Sequence, residues 1–338
     1  MKEKVLLLLV LVLVGCNVDK HSEIFISINP SINKDYKIDY SIFAQSVDSV
    51  VLEKGNIPLS MIRKTCVSDS LLYILDDMKT ISVYNIENGN LIKQIQKVGH
   101  GDGEYIEPIS IATDAEHVYI LDMLQLSILM FDHSLNYQKK IQVPLHSFDF
   151  IKTSDGFLLW NAGGYDQLNT YVHIDSEGKL IDSYITPEME LDQIESICVF
   201  SDDGEGRIYA LQTVSDTIYE WKENQMRAFG TLDFCSTSQM KYKSSSEKIK
   251  ALDVCSRGQS FVSQRFIITQ YYNDYRYMTN IYDRQSAWSY CGVVKTPNSL
   301  PFLPCNLHKN VLYSISNKEL NNEEVGNNDI VLFKYKLK

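Results

Sequence analysis

Alternating apolar and polar residues, rather than helical periods, dominate the chain after residue 45. An alternation of period two is typical of a strand with one buried face. Tyrosine, which favours strands, is common at 21 of 338 residues. The pattern therefore predicts an all-β domain.

Two neighbouring segments repeat the same order of strands and turns. Residues 71–95 begin with Leu-Leu-Tyr-Ile-Leu-Asp and residues 117–141 begin with His-Val-Tyr-Ile-Leu-Asp; in each, two further strand patterns follow. The equivalent residues Tyr73 and Tyr119 are 46 positions apart. One four-stranded propeller blade needs about 40–50 residues, so the repeat predicts blades.

The same order continues more loosely to the end of the chain, in residues 157–185, 207–232, 265–293 and 310–336. The last unit lacks an outer strand, and residues 46–53 form a free β-pattern that can supply it. Joining the first strand to the last blade removes open edges. We predict a six-bladed β-propeller over residues 45–338, with the ring closed by an N-terminal strand that joins the last blade.

The link between the first two units carries a family resemblance. It reads Gly99-His-Gly-Asp-Gly-Glu-Tyr105, then Pro108, then Ile111-Ala-Thr-Asp114. This resembles NHL-repeat propellers, whose blades begin with a glycine-rich turn, an aromatic residue, a proline and an Ile-Ala-x-Asp strand. The chain as a whole resembles the six-bladed propeller lipoproteins of Bacteroides-type bacteria. The resemblance implies the fold, which many unrelated functions share.

The N-terminus has the three zones of an export signal. Lys2 and Lys4 precede an apolar run over residues 5–14, which is too short to span a membrane. The run ends in Leu-Val-Gly-Cys, which resembles the lipobox of bacterial lipoproteins and implies lipid on Cys16. We predict a signal peptide over residues 1–15, a lipid-anchored tether over residues 16–44, and a cell-envelope location. Asn17 after the cysteine favours the outer membrane.

Composition narrows the classes of function. A net charge of −11 without a basic run argues against nucleic acid as a partner. The chain has no Cys-x-x-Cys, His-x-x-x-His or Gly-x-Ser-x-Gly motif, so we predict no metal, no cofactor and no serine hydrolase. Beyond Cys16, six cysteines are either buried thiols or bridged. Cys235 with Cys255 is the first disulfide to test.

Two repeated features are open to a functional reading. Asp76 and Asp122 end equivalent strands and are either a ring of carboxylates at the channel mouth or turn residues that cap backbone amides. Aromatic loops follow the equivalent strand in the third and fifth units. Their candidate ligand-binding residues, which could instead pack between blades, are Trp160, Tyr165, Tyr271, Tyr272, Tyr275 and Arg276.

These features favour a non-catalytic, membrane-anchored protein that binds a glycan, a peptide or a protein partner outside the cytoplasm. The domain is expected to be monomeric. One alternative is a propeller enzyme, either a lyase or a hydrolase acting on glycosides, with carboxylates or a metal on the axis. The other is a scaffold subunit of a surface complex, which would show an exposed apolar patch on its rim.

Overall fold

The computed structural model describes residues 24–28, 36–161, 169–186, 198–211, 216–234, 255–273, 276–297, 299–317 and 329–338. Its strands form six small sheets, each with four antiparallel strands. A single short 3₁₀ turn, η1 (Tyr40–Ile42), is the helical element of these described ranges. The predicted all-β fold with six blades is confirmed.

The sheets follow one another along the chain as blades 1 to 6. Blade 1 has β4 (Ile62–Ser68), β5 (Leu71–Asp76), β6 (Ile81–Asn85) and β7 (Leu91–Ile95). Blade 2 has β8 (Pro108–Thr113), β9 (His117–Asp122), β10 (Ser127–Asp132) and β11 (Tyr137–Gln142). Blade 3 has β12 (Asp149–Lys152), β13 (Gly156–Trp160), β14 (Tyr171–Asp175) and β15 (Leu180–Tyr184).

The second half of the ring repeats this order. Blade 4 has β16 (Phe200–Asp202), β17 (Ile208–Ala210), β18 (Thr217–Lys222) and β19 (Gln225–Phe234). Blade 5 has β20 (Cys255–Val262), β21 (Phe266–Asn273), β22 (Arg276–Asp283) and β23 (Trp288–Lys295). Blade 6 has β24 (Pro304–His308), β25 (Val311–Ser316), β26 (Val331–Leu337) and, from the other end of the chain, β3 (Ala44–Val51).

The ring closes as predicted from the free β-pattern near residue 46. β3 pairs antiparallel with β26, from Ala44 opposite Leu337 to Val51 opposite Val331. The first strands of all six blades contact one another in cyclic order, and β24 returns to β4. The first strand of each blade is therefore the innermost, and the six of them surround the axis.

The predicted tether over residues 16–44 is too long at its C-terminal end. β1 (Ile24–Ile28) adds a parallel strand to the outer edge of β19, and β2 (Lys37–Asp39) does the same on β23. Apolar side chains hold this segment on the ring. Ile26, Ile28, Ile38 and Phe43 are buried against blades 4, 5 and 6. The described part of the tether is thus part of the folded ring.

The apolar core lies between blades rather than at one centre. Six clusters of buried side chains each join two neighbouring blades around the whole ring. Alternate residues of a blade face its two neighbours, which explains the period-two patterns in the sequence. Because both faces of every sheet pack against neighbouring blades, only the first strand of each blade lines the axis.

Asp76 and Asp122 tie each blade to the link that precedes it. Both carboxyl groups are fully buried. Asp76 accepts hydrogen bonds from the backbone N–H groups of Ser60 and Thr80. Asp122 accepts from the N–H groups of Ile106, Glu107 and Gln125. These residues cap turns, and their burial contradicts the alternative of a carboxylate ring at the channel mouth.

Candidate functional site

A cavity of about 510 Å³ occupies the axis of the ring. It runs from Lys64 and Thr65, within β4, to the turns that join the first and second strands of the blades. Residues of those turns surround the mouth, among them Asp69, Ala115, Ser154, Gly204 and Lys309. Ligand pockets commonly have volumes of about 300–1,000 Å³, so this cavity is of a suitable size.

A buried ion pair forms the floor of the cavity. Lys64 Nζ of blade 1 lies 2.6 Å from Asp149 Oδ1 of blade 3. Ser110 Oγ of blade 2 donates to the same oxygen at 2.6 Å, and the backbone N–H groups of Val199 and Phe200 donate to Oδ2 at 2.8 and 3.0 Å. Four blades therefore meet at one carboxylate, which is fully buried.

Irregular strand pairing places the floor residues. The inner strands of blades 1, 2 and 6 share a β-bulge after their first residue, which brings Lys64, Ser110 and Asn306 to equivalent positions. Burial lowers the pKa of Lys64, but the charge and the hydrogen bond of Asp149, together with Cys198 and Cys66, raise it by more, so the net shift is upward. Lys64 is therefore held in its charged form.

Asp202 supplies the cavity with a carboxyl group that is only partly used. Its Oδ1 accepts a hydrogen bond from the Gly204 N–H, and no described residue donates to its Oδ2. Burial raises the pKa of Asp202 to about 6, with a further rise from Asp203 and an opposing effect from Lys64. This oxygen is available to a ligand that offers a hydrogen-bond donor.

His308 also lines the cavity with an unused polar atom. Its Nε2 is buried and has no hydrogen-bond partner among the described residues. Burial lowers the pKa of this imidazole, and the charge of Lys309 lowers it further. A neutral ring offers either a donor or an acceptor to a bound molecule.

Three thiols surround the floor but are poor nucleophiles. Cys66, Cys198 and Cys305 are free thiols, and the Cys291 thiol on β23 donates a hydrogen bond to Asn280 Oδ1. Burial raises the pKa of Cys198 to about 11 and that of Cys305 to about 12, and it raises that of Cys66 as well. Because the thiolate is the reactive form, these groups are inert near neutral pH. The predicted pair Cys235 and Cys255 lies outside the described side chains.

The described residues among the predicted aromatic candidates, Trp160, Tyr271 and Tyr272, lie at the other end of the blades. The end of β5 pairs with the start of β4, so loops after second strands are on the face opposite the cavity mouth. Trp160 is 1% exposed and Tyr271 is 0% exposed, which assigns both to packing between blades. The prediction that Trp160 and Tyr271 bind a ligand is therefore wrong, because both side chains are buried between blades.

Two of the other predicted loop residues, Tyr272 and Arg276, lie on that face. Tyr272 is half-buried and its ring packs edge-on against Tyr277, while Arg276 is exposed. Tyr165 and Tyr275 lie outside the described residues. The structure therefore does not bring the six predicted residues together into one described site.

Within the described ranges, no group of three or more His, Cys, Asp or Glu side chains could hold a metal ion. Among the same residues, no helix has the length and apolarity to cross a membrane.

Two Bacteroides proteins have similar solved structures. A putative exported protein from Bacteroides fragilis has a TM-score of 0.68 at 16% identity, covering 94% of this chain and 100% of that one. A DUF4221 family member from Bacteroides vulgatus has a TM-score of 0.58 at 12% identity, covering 87% and 97%. At these identities the likeness shows the fold.

No curated protein matches the chain. A family model described as a domain of unknown function, DUF4934, matches residues 23–334. This match begins one residue before β1 and ends within β26, the last strand of the chain, so the chain belongs to the DUF4934 family.

Proposed function

We propose that this protein is a lipid-anchored envelope protein that binds, without transforming it, a small polar ligand or the end of a glycan or peptide chain. The axial cavity carries the proposal. It is open at the turns that form its mouth, Lys64 of the buried pair with Asp149 lines its inner part, and its lining combines apolar surface with amides, hydroxyls and charged groups. This is the composition typical of ligand pockets.

The envelope location is supported by two observations of different kinds. The N-terminal residues 1–16 have the zones of a signal peptide and end in a lipobox-like motif at Cys16. The similar Bacteroides fragilis protein is described as exported. Lipid on Cys16 and the outer membrane remain parts of the proposal.

The arrangement of carboxyl groups favours binding over glycoside hydrolysis. A glycosidase needs two reactive carboxyl groups about 5–10 Å apart. Asp149 has both oxygens occupied by four donors, and Asp114 accepts hydrogen bonds from Glu116 N, His117 N and Tyr119 Oη. The other described carboxyl groups of the lining are Asp202 and Asp69, and Asp69 is paired with Lys309 at the exposed mouth.

The loop residues on the opposite face form a second place where a large partner could bind. Tyr277 and Arg276 are exposed there, and Tyr272 supports the ring of Tyr277. This arrangement favours a surface contact rather than enclosure of a small ligand. The two faces are separable by mutation.

The test is a glycan and peptide array probed with the detergent-solubilised full chain and its variants. Ser154→Trp places a bulky side chain at the mouth, where Ser154 is exposed. Ser134→Trp is the matched control on an exposed turn outside the cavity. We expect Ser154→Trp to abolish retention and Ser134→Trp to preserve it.

Other outcomes would redirect the proposal. Loss of retention only in Tyr272→Ala/Arg276→Ala would move the site to the opposite face. A change in the mass of the captured ligand after incubation would favour the enzyme. Retention that survives Ser154→Trp and the loop variant alike would contradict both sites.

A further inference from the structure

The exposed aromatic side chains are concentrated in one sector of the ring. Among the described residues, four large aromatic side chains are exposed: Phe25, Tyr36, Tyr277 and Trp288, at 62%, 46%, 58% and 62%. Tyr277 and Trp288 belong to blade 5, Tyr36 precedes the strand added to it, and Phe25 is on the strand added to blade 4. The other exposed large hydrophobic residues of the described ring are valine, leucine, isoleucine or methionine.

The chain enters the ring in this same sector. β1 begins at Ile24 on the outer edge of blade 4, eight residues after Cys16. Eight fully extended residues reach at most about 27 Å. An acyl group on Cys16 would therefore keep blade 4 close to the bilayer surface, with the opposite blade 1 on the far side.

We propose that the outer edge formed by blades 4 and 5 rests on the lipid bilayer, so that the ring stands edge-on and its axis is parallel to the membrane. This rests on the lipid anchor of the proposed function. Trp and Tyr prefer the interface between lipid and water, because the ring is apolar and the N–H or O–H reaches water. The aromatic residues and the anchor thus mark the same side independently.

The partner is the bilayer interface rather than anionic headgroups. The net charge of −11 disfavours attraction to an acidic surface. The β1 and β2 strands also cover the outer backbone edges of blades 4 and 5, so the contact does not require another chain to pair with β19 or β23. An edge-on ring presents both of its faces sideways. Phe25, Tyr36 and Trp288 lie at the outer edge and face the bilayer, whereas Tyr277, on the third strand of blade 5, stays with the loops of the opposite face.

Trp288 provides a native reporter. The acylated full chain is reconstituted into phosphatidylcholine vesicles with plain or brominated acyl chains, since bromine quenches tryptophan only at short range. Trp160 and Trp221 are buried, so Trp288→Phe isolates the signal of Trp288. We expect bromine-dependent quenching in the wild type and its loss in Trp288→Phe.

The matched control moves the reporter to the opposite side of the ring. Ile92 is 56% exposed on β7, the outer strand of blade 1. We expect Ile92→Trp in the Trp288→Phe background to fluoresce equally in both vesicles. Equal quenching at positions 92 and 288, or none at 288 in anchored protein, would overturn the edge-on arrangement.

Mass analysis of Cys16 and flotation of the vesicles separate the two failures. Absence of acyl chains would overturn the anchor and this inference together, whereas acylated protein without quenching at Trp288 would overturn the inference alone. A dimer in detergent that Trp288→Ser converts to a monomer would assign the sector to a subunit interface instead.

Discussion

A single carboxylate, Asp149, determines how the axis is closed. It receives donors from blade 1, from blade 2 and from Val199 and Phe200 at the entrance to blade 4, so both of its oxygens have partners despite complete burial. Buried ion pairs add little net stability when complete, but removal of one partner leaves an uncompensated charge. The pair is therefore a strong test of the floor.

Lys64→Met should destabilise the fold by about 3–5 kcal/mol, because Asp149 would remain buried without its cation. Urea unfolding followed by fluorescence measures the change. The matched control is Lys309→Met, which breaks the exposed pair with Asp69 and should cost less than about 1 kcal/mol. Equal losses in the two variants would contradict a buried, charged floor.

Ionisation of Asp202 should lower the free energy of unfolding as the pH rises. Its pKa of about 6 in the folded protein lies above the ordinary value of 3.8, so ionisation of Asp202 opposes folding. Asp202→Asn keeps an acceptor for the Gly204 N–H and should stabilise the protein by on the order of 1–3 kcal/mol at pH 7.5. The gain should shrink as pH falls through 6 towards 4.

Paired unfolding curves at several pH values check this expectation. Asp69→Asn, a highly exposed carboxylate at the mouth, serves as the control and should show no such trend. A gain that stayed constant between pH 7.5 and pH 4 would show that ionisation of Asp202 is not its source.

Residues that serve the repeat could be predicted from the sequence, and residues that break it could not. Asp76 and Asp122 recur at one blade position, and a turn role follows from that recurrence alone. Lys64 and Asp149 each occur once and meet across 85 residues of chain. In the sequence each of them is only a charged residue within an apolar strand pattern. The alternation of apolar and polar residues does not show which residue such a charge will pair with.

At the scale of elements, capped turns rather than strand propensity set the angle at which one blade leads to the next. Asp122 holds three backbone N–H groups, two from the link that enters blade 2 and one from the turn after β9. The glycine-rich link before it makes one tight approach, with Gly103 at φ +73° against the Tyr137 ring. This supports the predicted role of the link as an inter-blade turn.

Asp122→Ala should cost about 2–4 kcal/mol, because three part-buried N–H groups lose their acceptor. Asp132→Ala is the control: it caps the exposed turn after β10 and should cost about 1 kcal/mol or less. Hydrogen exchange should show faster exchange at Ile106 and Glu107 in the first variant only. Unchanged exchange there would argue against a clamp.

At the scale of the molecule, the number of blades and the closing strand were readable because each follows from repetition and from the need to cover edges. The added strands β1 and β2 were not readable. They lie in a polar stretch without a repeat partner, and they pair parallel with strands 206 and 256 residues further along, from Ile24 to Gly230 and from Lys37 to Val293. Only tertiary packing distinguishes them from a tether.

A folded domain that starts at residue 23 should be more stable than one that starts at residue 45. A soluble chain starting at residue 45, the boundary expected from the sequence, lacks Ile26, Ile28, Ile38 and Phe43, each buried to within 1%. Burial of one such side chain contributes about 1.5–3 kcal/mol, so the loss should exceed about 5 kcal/mol. It would also open the outer edges of β19 and β23 to aggregation.

A chain starting at residue 23 should unfold cooperatively at a clearly higher urea concentration than the chain starting at residue 45, and it should remain monomeric in light scattering. Phe25→Ser in the longer chain should leave the midpoint unchanged, since Phe25 is exposed. Coincident midpoints for the two starts would mean that β1 and β2 contribute little to folding. In that case residues 16–44 would behave as the tether that their polar sequence suggests, and the anchor would no longer hold blade 4 near the membrane.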